Sequence, residues 1–163
     1  MPSIRYGRLA LAIAVSTLML AACTKKAEES TTATATTTTK TSATTSGAPA
    51  ADNVATADGT TFASFTGNAV NGEAVFMQCR ACHDLVQNRI GPPLHGVVGH
   101  KVGAVPGFPY SDAAKNSGIV WTPEKLFQYL EKPQRVIPGT RMTFAGISDP
   151  QKRADVIAYL KAN

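Results

Sequence analysis

The 163-residue sequence predicts a small all-α domain behind an exported, unstructured N-terminal region, and three observations carry that expectation. Hydrophobic residues in the C-terminal part recur at helical spacing, and the segments that carry them open on capping residues. The stretches between them are Gly/Pro-rich loops with few strand signals.

The first helical segment runs from Asn68 to about Gln78, with Val70, Val75 and Phe76 marking an apolar side. The second opens after Trp121. Thr122 is a good N-cap, Pro123 suits the first helical position, Leu126, Phe127 and Leu130 follow at helical spacing, and Pro133 stops the helix. The third starts at Ser148, where Gln151 completes a capping box and Val156, Ile157, Tyr159 and Leu160 form the apolar side. Residues 91–107 and 138–146 read as loops. The domain assigned to residues 66–163 has 98 residues, few enough that its own core is marginal.

The run Cys79-Arg80-Ala81-Cys82-His83 points to what completes that core, because Cys-x-x-Cys-His is the attachment signature of c-type haem. Residues three apart share a helix face, so Cys79 and Cys82 can each form a thioether with one haem vinyl group, and His83 then reaches the iron as proximal ligand. One covalent haem c is expected, with folding coupled to its attachment. A zinc site would need a second Cys or His pair; His95 and His100 lack that pairing and sit among glycines and prolines. A thioredoxin-like pair would need a βαβ context that the flanking residues do not supply. Candidates for the sixth iron ligand are Met77, Met142, His95 and His100. Met77 is two residues from Cys79 and cannot readily curl over the opposite haem face, whereas Met142 lies on a Pro/Gly loop able to cover it. The residues favour Met142, with filling of a core gap as its competing role.

The N-terminal region reads as targeting and spacing. Arg5 and Arg8 precede an apolar stretch from Leu9 to Leu20, so residues 1–22 are expected to be a secretory signal peptide. The stretch is shorter than the roughly 20 apolar residues a spanning helix needs, which favours cleavage over retention as an anchor. Leu20-Ala21-Ala22-Cys23 resembles the bacterial lipoprotein processing box, implying acyl chains on Cys23 that hold the protein at a bilayer. Residues 23–65 are Thr/Ala/Ser-rich with only Val54, Phe62 and Phe65 as sizeable hydrophobes, and are expected to be a disordered linker. As a Gly/Ser-like coil it would reach roughly 35 to 40 Å. With Cys23 lipidated and Cys79 and Cys82 on haem, no disulfide is expected.

The net charge of +5 includes two arginines of the signal region. From Thr66 onward there are eleven Lys/Arg against seven Asp/Glu. That moderate excess suits an acidic protein partner, whereas nucleic acid would call for a denser basic stripe.

Over residues 68–162 the chain resembles the class I cytochromes c of the mitochondrial and short bacterial kind. The resemblance rests on Gly72-x-x-x-Phe76 before the haem motif and Gly91-Pro92-Pro93-Leu94-His95-Gly96 after it. It continues through Pro106-Gly107-Phe108-x-Tyr110, Trp121, Tyr129-Leu130, the run from Pro138 to Gly146 around Met142, and Ile157-Ala158-Tyr159-Leu160. It implies the class I fold, in which the last helix crosses the first where Gly72 permits close approach, and it strengthens His83/Met142 as the iron ligands. It further implies that the Pro92 carbonyl accepts the proximal imidazole N–H and that Tyr110, Trp121 and Thr140 donate to the haem propionates. Tyr129 would lie near the Met142 sulfur, and Leu94, Leu126, Leu130 and Phe144 would wall the haem. Two departures stand out: His100 replaces an arginine common near the inner propionate, and Ala114 replaces an asparagine common in the water network near the methionine.

A haem held by two protein ligands suits outer-sphere electron transfer, so the expected function is a non-enzymatic, membrane-tethered, monomeric electron carrier on the periplasmic side of a bacterial membrane. The resemblance implies a quinol:cytochrome c oxidoreductase as donor and a terminal oxidase as acceptor. Arg80, Arg89, Lys132, Arg135 and Arg141 are expected to steer docking to acidic partners. The competing readings are a haem peroxidase or gas-binding haem protein, for which the chain offers no convincing distal acid/base pair, and the electron-accepting subunit of a periplasmic dehydrogenase.

Overall fold

The computed structural model describes residues 47–163, which contain five α-helices and no β-strand beyond an isolated bridge between Lys101 and Val120. Helix α1 spans Ala69–Phe76, α2 Asp112–Lys115, α3 Pro123–Glu131, α4 Pro133–Val136 and α5 Pro150–Ala162. A 3₁₀ turn at Phe62–Ser64 precedes them. The signal region, Cys23 and the first half of the expected linker lie outside the described residues.

Local chemistry explains where the three longer helices begin. Asn68 caps α1 by accepting from the amides of Val70 and Asn71, and Thr122 caps α3 by accepting from Lys125 N. The cap of α5 is Asp149 rather than Ser148: its carboxylate accepts from Gln151 N and Lys152 N, and Pro150 takes the first helical position. Gln151 does not reach back to close a capping box. Its side-chain amide donates to Thr66 O and to Asp155, tying α5 to the segment before α1. Pro133 does end α3, but it also starts α4, a single-turn helix too short for any periodic pattern to reveal.

Helices α1 and α5 cross closely. A Cβ at Gly72 would lie 2.0 Å from the Asp155 carbonyl oxygen, so no larger residue fits there. The Asp155 carboxylate accepts Asn68 N at 2.8 Å, and the Phe76 and Tyr159 rings stack beside the crossing with centroids 4.9 Å apart. Phe76, Leu126, Phe127, Leu130, Ile147, Val156, Ile157 and Leu160 form one buried cluster. A second, of Val102, Ile119, Tyr129, Val136 and Ile137, is joined to the first through Trp121.

The expectation of a disordered linker extending to residue 65 does not hold for residues 47–65, which form a strap bound to α3 and α5. Lys125 is 1% exposed, and its ammonium donates to the carbonyls of Ala50 and Asn53 and to Gln128 Oε1. The buried Gln128 amide donates to Ala55 O, and Glu131 accepts from the amides of Ala57 and Asp58, each at 2.8 Å. Asp58 pairs at 2.6 Å with Arg153, which is 0% exposed and lies 4.4 Å over the Phe127 ring. Phe62 meets that ring edge-on and Phe65 packs tilted against it, with centroids 5.8 and 5.7 Å away. The strap lacks the apolar content of a core segment because its backbone carbonyls and amides, more than its side chains, do the binding. The compact unit therefore starts about twenty residues earlier than the composition suggests.

Candidate functional site

Between the two buried clusters opens a predominantly apolar cavity of about 640 Å³. Its size falls in the range of sites that engulf most of a ligand's surface. Of the residues assigned to the haem from the sequence, Cys79, Cys82, His83, Pro92, Leu94, Tyr110, Trp121, Tyr129, Thr140, Met142 and Phe144 all line it. Leu126 and Leu130 reach it from α3, and the two departures, His100 and Ala114, line it as well. Met77 does not line it; that side chain is 57% exposed and accepts only a weak contact from Arg80.

Beyond α1 the chain turns tightly, with His83 N donating to Cys79 O at 2.8 Å, and this turn brings both thiols and the imidazole to one wall. Neither cysteine is in a disulfide, and both are half-buried. Burial, and secondarily the neighbouring Cys82, pushes the Cys79 thiol up to about 11, which holds back the thiolate that oxidation to a disulfide would need. His83 Nδ1 is 2.8 Å from Pro92 O, so Nδ1 carries the proton and Nε2 is left as the metal-binding nitrogen. Burial lowers the imidazole's affinity for a second proton, an effect the Pro92 contact partly opposes, and the neutral ring is the form that ligates metal. Gly91 packs on the ring so closely that a Cβ would lie 2.3 Å from His83 Cε1.

Met142 lies on the loop between α4 and α5. The Tyr129 hydroxyl is 3.3 Å from its sulfur and 3.4 Å from Thr140 Oγ1, and Thr140 Oγ1 accepts Met142 N. Burial raises Tyr129 above the ordinary phenol value, with Thr140 opposing, so the hydroxyl remains a donor throughout the physiological range. The Trp121 ring packs tilted against Tyr129 with centroids 4.6 Å apart. Gln134 donates to the carbonyls of Thr140 and Met142 from outside the loop, and Arg141 donates to Pro109 O across the cavity rim.

The donor set fits a haem and does not fit a bare metal ion. Two thiols and an imidazole on one wall, a thioether sulfur from another element and apolar side chains between them match a flat apolar macrocycle with iron at its centre. Among the described residues no three His, Cys, Asp or Glu side chains converge to hold an ion. One sequence expectation is corrected here. Arg135 is no free steering charge, because it donates to Glu131 and to Ala55 O on the strap side of α3, whereas Arg80, Arg89, Lys132 and Arg141 are exposed. Lys125 and Arg153, counted with the basic excess, are buried partners of the strap. Only the long-range placement of their partners reveals this.

A small helical domain closed around such a pocket defines a c-type haem protein. Residues 69–163, more than half of the chain, match the cytochrome c family model. Cytochrome c2 of Rhodomicrobium vannielii is 52% identical over 97 residues, covering 58% of this chain and 78% of that protein. Cytochrome c2 of Rhodopila globiformis is 51% identical over 98 residues, covering 58% of this chain and 92% of that protein. Among solved structures, cytochrome cH from Methylobacterium extorquens superposes with a TM-score of 0.59 at 49% identity, over 60% of this chain and all of that one. The chain belongs to the cytochrome c family: it has the class I all-α fold, carries haem c through Cys79 and Cys82, and is an electron carrier rather than an enzyme.

Proposed function

We propose that the protein is a lipid-tethered electron shuttle, exported to the periplasmic side of a bacterial membrane, with residues 1–22 removed as a signal peptide and Cys23 acylated. His83 and Met142 would hold the iron, and the observation that carries this assignment is the Tyr129 hydroxyl directed at the Met142 sulfur inside the haem cavity. Haem, when bound, supplies a one-electron ferrous/ferric couple. The protein's part is to keep the surroundings unchanged between the two states. Pro92 fixes the His83 ring, Gln134 and Thr140 hold the Met142 backbone, and Leu94, Leu126, Leu130 and Phe144 exclude water from the pocket.

Donor and acceptor are a quinol:cytochrome c oxidoreductase and a terminal oxidase, approached as transient partners by a monomeric carrier. The exposed Arg80, Arg89, Lys132 and Arg141 support acidic docking faces, with rates that fall as ionic strength rises. Anchoring near both partners raises effective concentration without adding contacts.

The test uses full-length protein extracted from membranes. Mass spectrometry should find an acylated N-terminal Cys23, and quinol oxidoreductase should reduce the protein at a rate that falls with salt. Met142→Ala should abolish the far-red absorption band of thioether-ligated ferric haem and open the iron to carbon monoxide. An unmodified Cys23 would remove the anchor from the proposal, and an unchanged ligand field in Met142→Ala would remove the methionine. Reduction only by a co-purifying dehydrogenase would make the protein that enzyme's electron-accepting subunit.

A further inference from the structure

The strap and the methionine loop meet on the same few residues. Glu131, the last residue of α3, accepts Ala57 N and Asp58 N from the strap and Arg135 Nη2 from α4. Its own carbonyl lies against Gly146, where a Cβ would be 2.0 Å away, and the neighbouring Leu130 carbonyl accepts Ile147 N at 2.7 Å. Arg153 spans the two elements directly. One guanidinium nitrogen donates to Ile147 O at the end of the loop at 3.0 Å, and another donates to Asp58 and Thr60 of the strap at 2.6 and 2.9 Å. The loop that carries Met142 is thus seated on a platform whose other side is clamped by residues 55–60. The family match begins at residue 69, so the strap lies outside it.

We infer that Asp58, acting through Arg153 and Glu131, is a positioning residue for Met142: the strap fixes the C-terminal turn of α3 and the end of the 138–147 loop, and so holds the methionine sulfur over the haem cavity. The inference rests on the assignment of Met142 as iron ligand. Asp58 is distant in sequence from the loop and does not line the cavity, so its influence passes through two buried contacts. With the Asp58 carboxylate gone, Arg153 keeps Ile147 O and the Glu131 carboxylate 4.0 Å away but loses its closest anionic partner, and the strap turn whose Ala57 and Asp58 amides hold Glu131 loses the side chain that accepts from Thr60 and Arg153. The loop then opens more often, and any added ligand for the iron competes with a weaker sulfur contact.

The experiment measures imidazole binding to the ferric holoprotein by optical titration, because imidazole enters only when Met142 has left. Global stability is followed alongside by denaturant unfolding. Asp58→Ala should bind imidazole about tenfold more tightly than wild type. Glu131→Gln should shift it in the same direction by a smaller factor. Asn68→Ala removes the α1 cap on another part of the domain and serves as the control for general loosening. Its imidazole affinity should stay within about twofold of wild type even where its unfolding midpoint drops as far as that of Asp58→Ala. An Asp58→Ala affinity within twofold of wild type, or an equal shift in Asn68→Ala at equal loss of stability, would overturn the inference alone. A wild-type ferric spectrum without the thioether band would overturn the ligand assignment and this inference with it.

Discussion

The two faces of α3 do opposite jobs with residues drawn from the same nine positions. Leu126, Tyr129 and Leu130 face the haem cavity and present apolar surface with one hydroxyl, whereas Lys125, Gln128 and Glu131 face the strap and are polar without exception. On the cavity side, specificity comes from shape: Gly91 against an imidazole, Tyr129 against a sulfur, leucines around a planar group. On the strap side it comes largely from satisfying buried polar groups, since Lys125, Gln128 and Glu131 each end on a backbone amide or carbonyl, with the Phe127 ring packed beside them. The lesson is that a site for a large cofactor tolerates few polar atoms, while the helix that builds it is held in place from behind by many.

Three measurements break or sharpen that contrast. The largest effect is expected from Phe127→Ala, which removes the ring gripped by Phe62, Phe65 and Arg153 at the junction of the two faces. A loss of about 4 kcal/mol in denaturant unfolding is expected, with faster proteolysis between residues 47 and 65, while the resting ferric spectrum is retained. A changed resting spectrum would mean the faces are not separable. Next, Gly91→Ala presses a methyl group into the His83 ring. About 2–3 kcal/mol of stability should be lost, and here the haem spectrum or haem content should change with it; an unaffected spectrum would show that the imidazole gives way freely.

The smallest effect is in acid. Burial alone would raise the Asp58 carboxyl, but hydrogen bonds from Thr60 and Arg153 outweigh it and hold the group far below the ordinary carboxylate range. A depressed folded-state value stabilises above the unfolded value of about 4 and fades as pH falls toward the folded one. The stability gap between wild type and Asp58→Asn should therefore be constant from about pH 5 to 8 and narrow below about pH 4. A gap that stays level into acid would mean that the charge on Asp58 contributes nothing to the strap.

The cavity side was legible in the sequence because its chemistry is local: Cys79-x-x-Cys82-His83 specifies both cofactor and attachment, and Thr122-Pro123 marks the start of α3 unaided. The strap side was not. In the Thr/Ala-rich run from residue 47 to 65 only Phe62 and Phe65 signal packing, and the binding of residues 50–58 lies largely in main-chain groups that every residue possesses. Lys125 and Arg153 looked like solvent charges because their partners are 72 and 95 positions away. Ser148 and Asp149 are both good caps, and only Pro150 at the first helical position decides between them. Helices α2 and α4, each four residues long, are too brief to show a period.

The crossing of α1 and α5 has a consequence for biogenesis. Asn68 donates to a carboxylate 87 positions later, so one of the domain's tightest junctions closes across almost the whole length of the fold. Such a junction cannot form until the C-terminal helix has been made and delivered, and closing so long a loop is entropically slow. The haem cysteines, lying just after α1, remain accessible on an open chain for that interval. Haem can thus join the cysteines before Pro150–Ala162 docks, and the closing core packs around it, which couples attachment to folding.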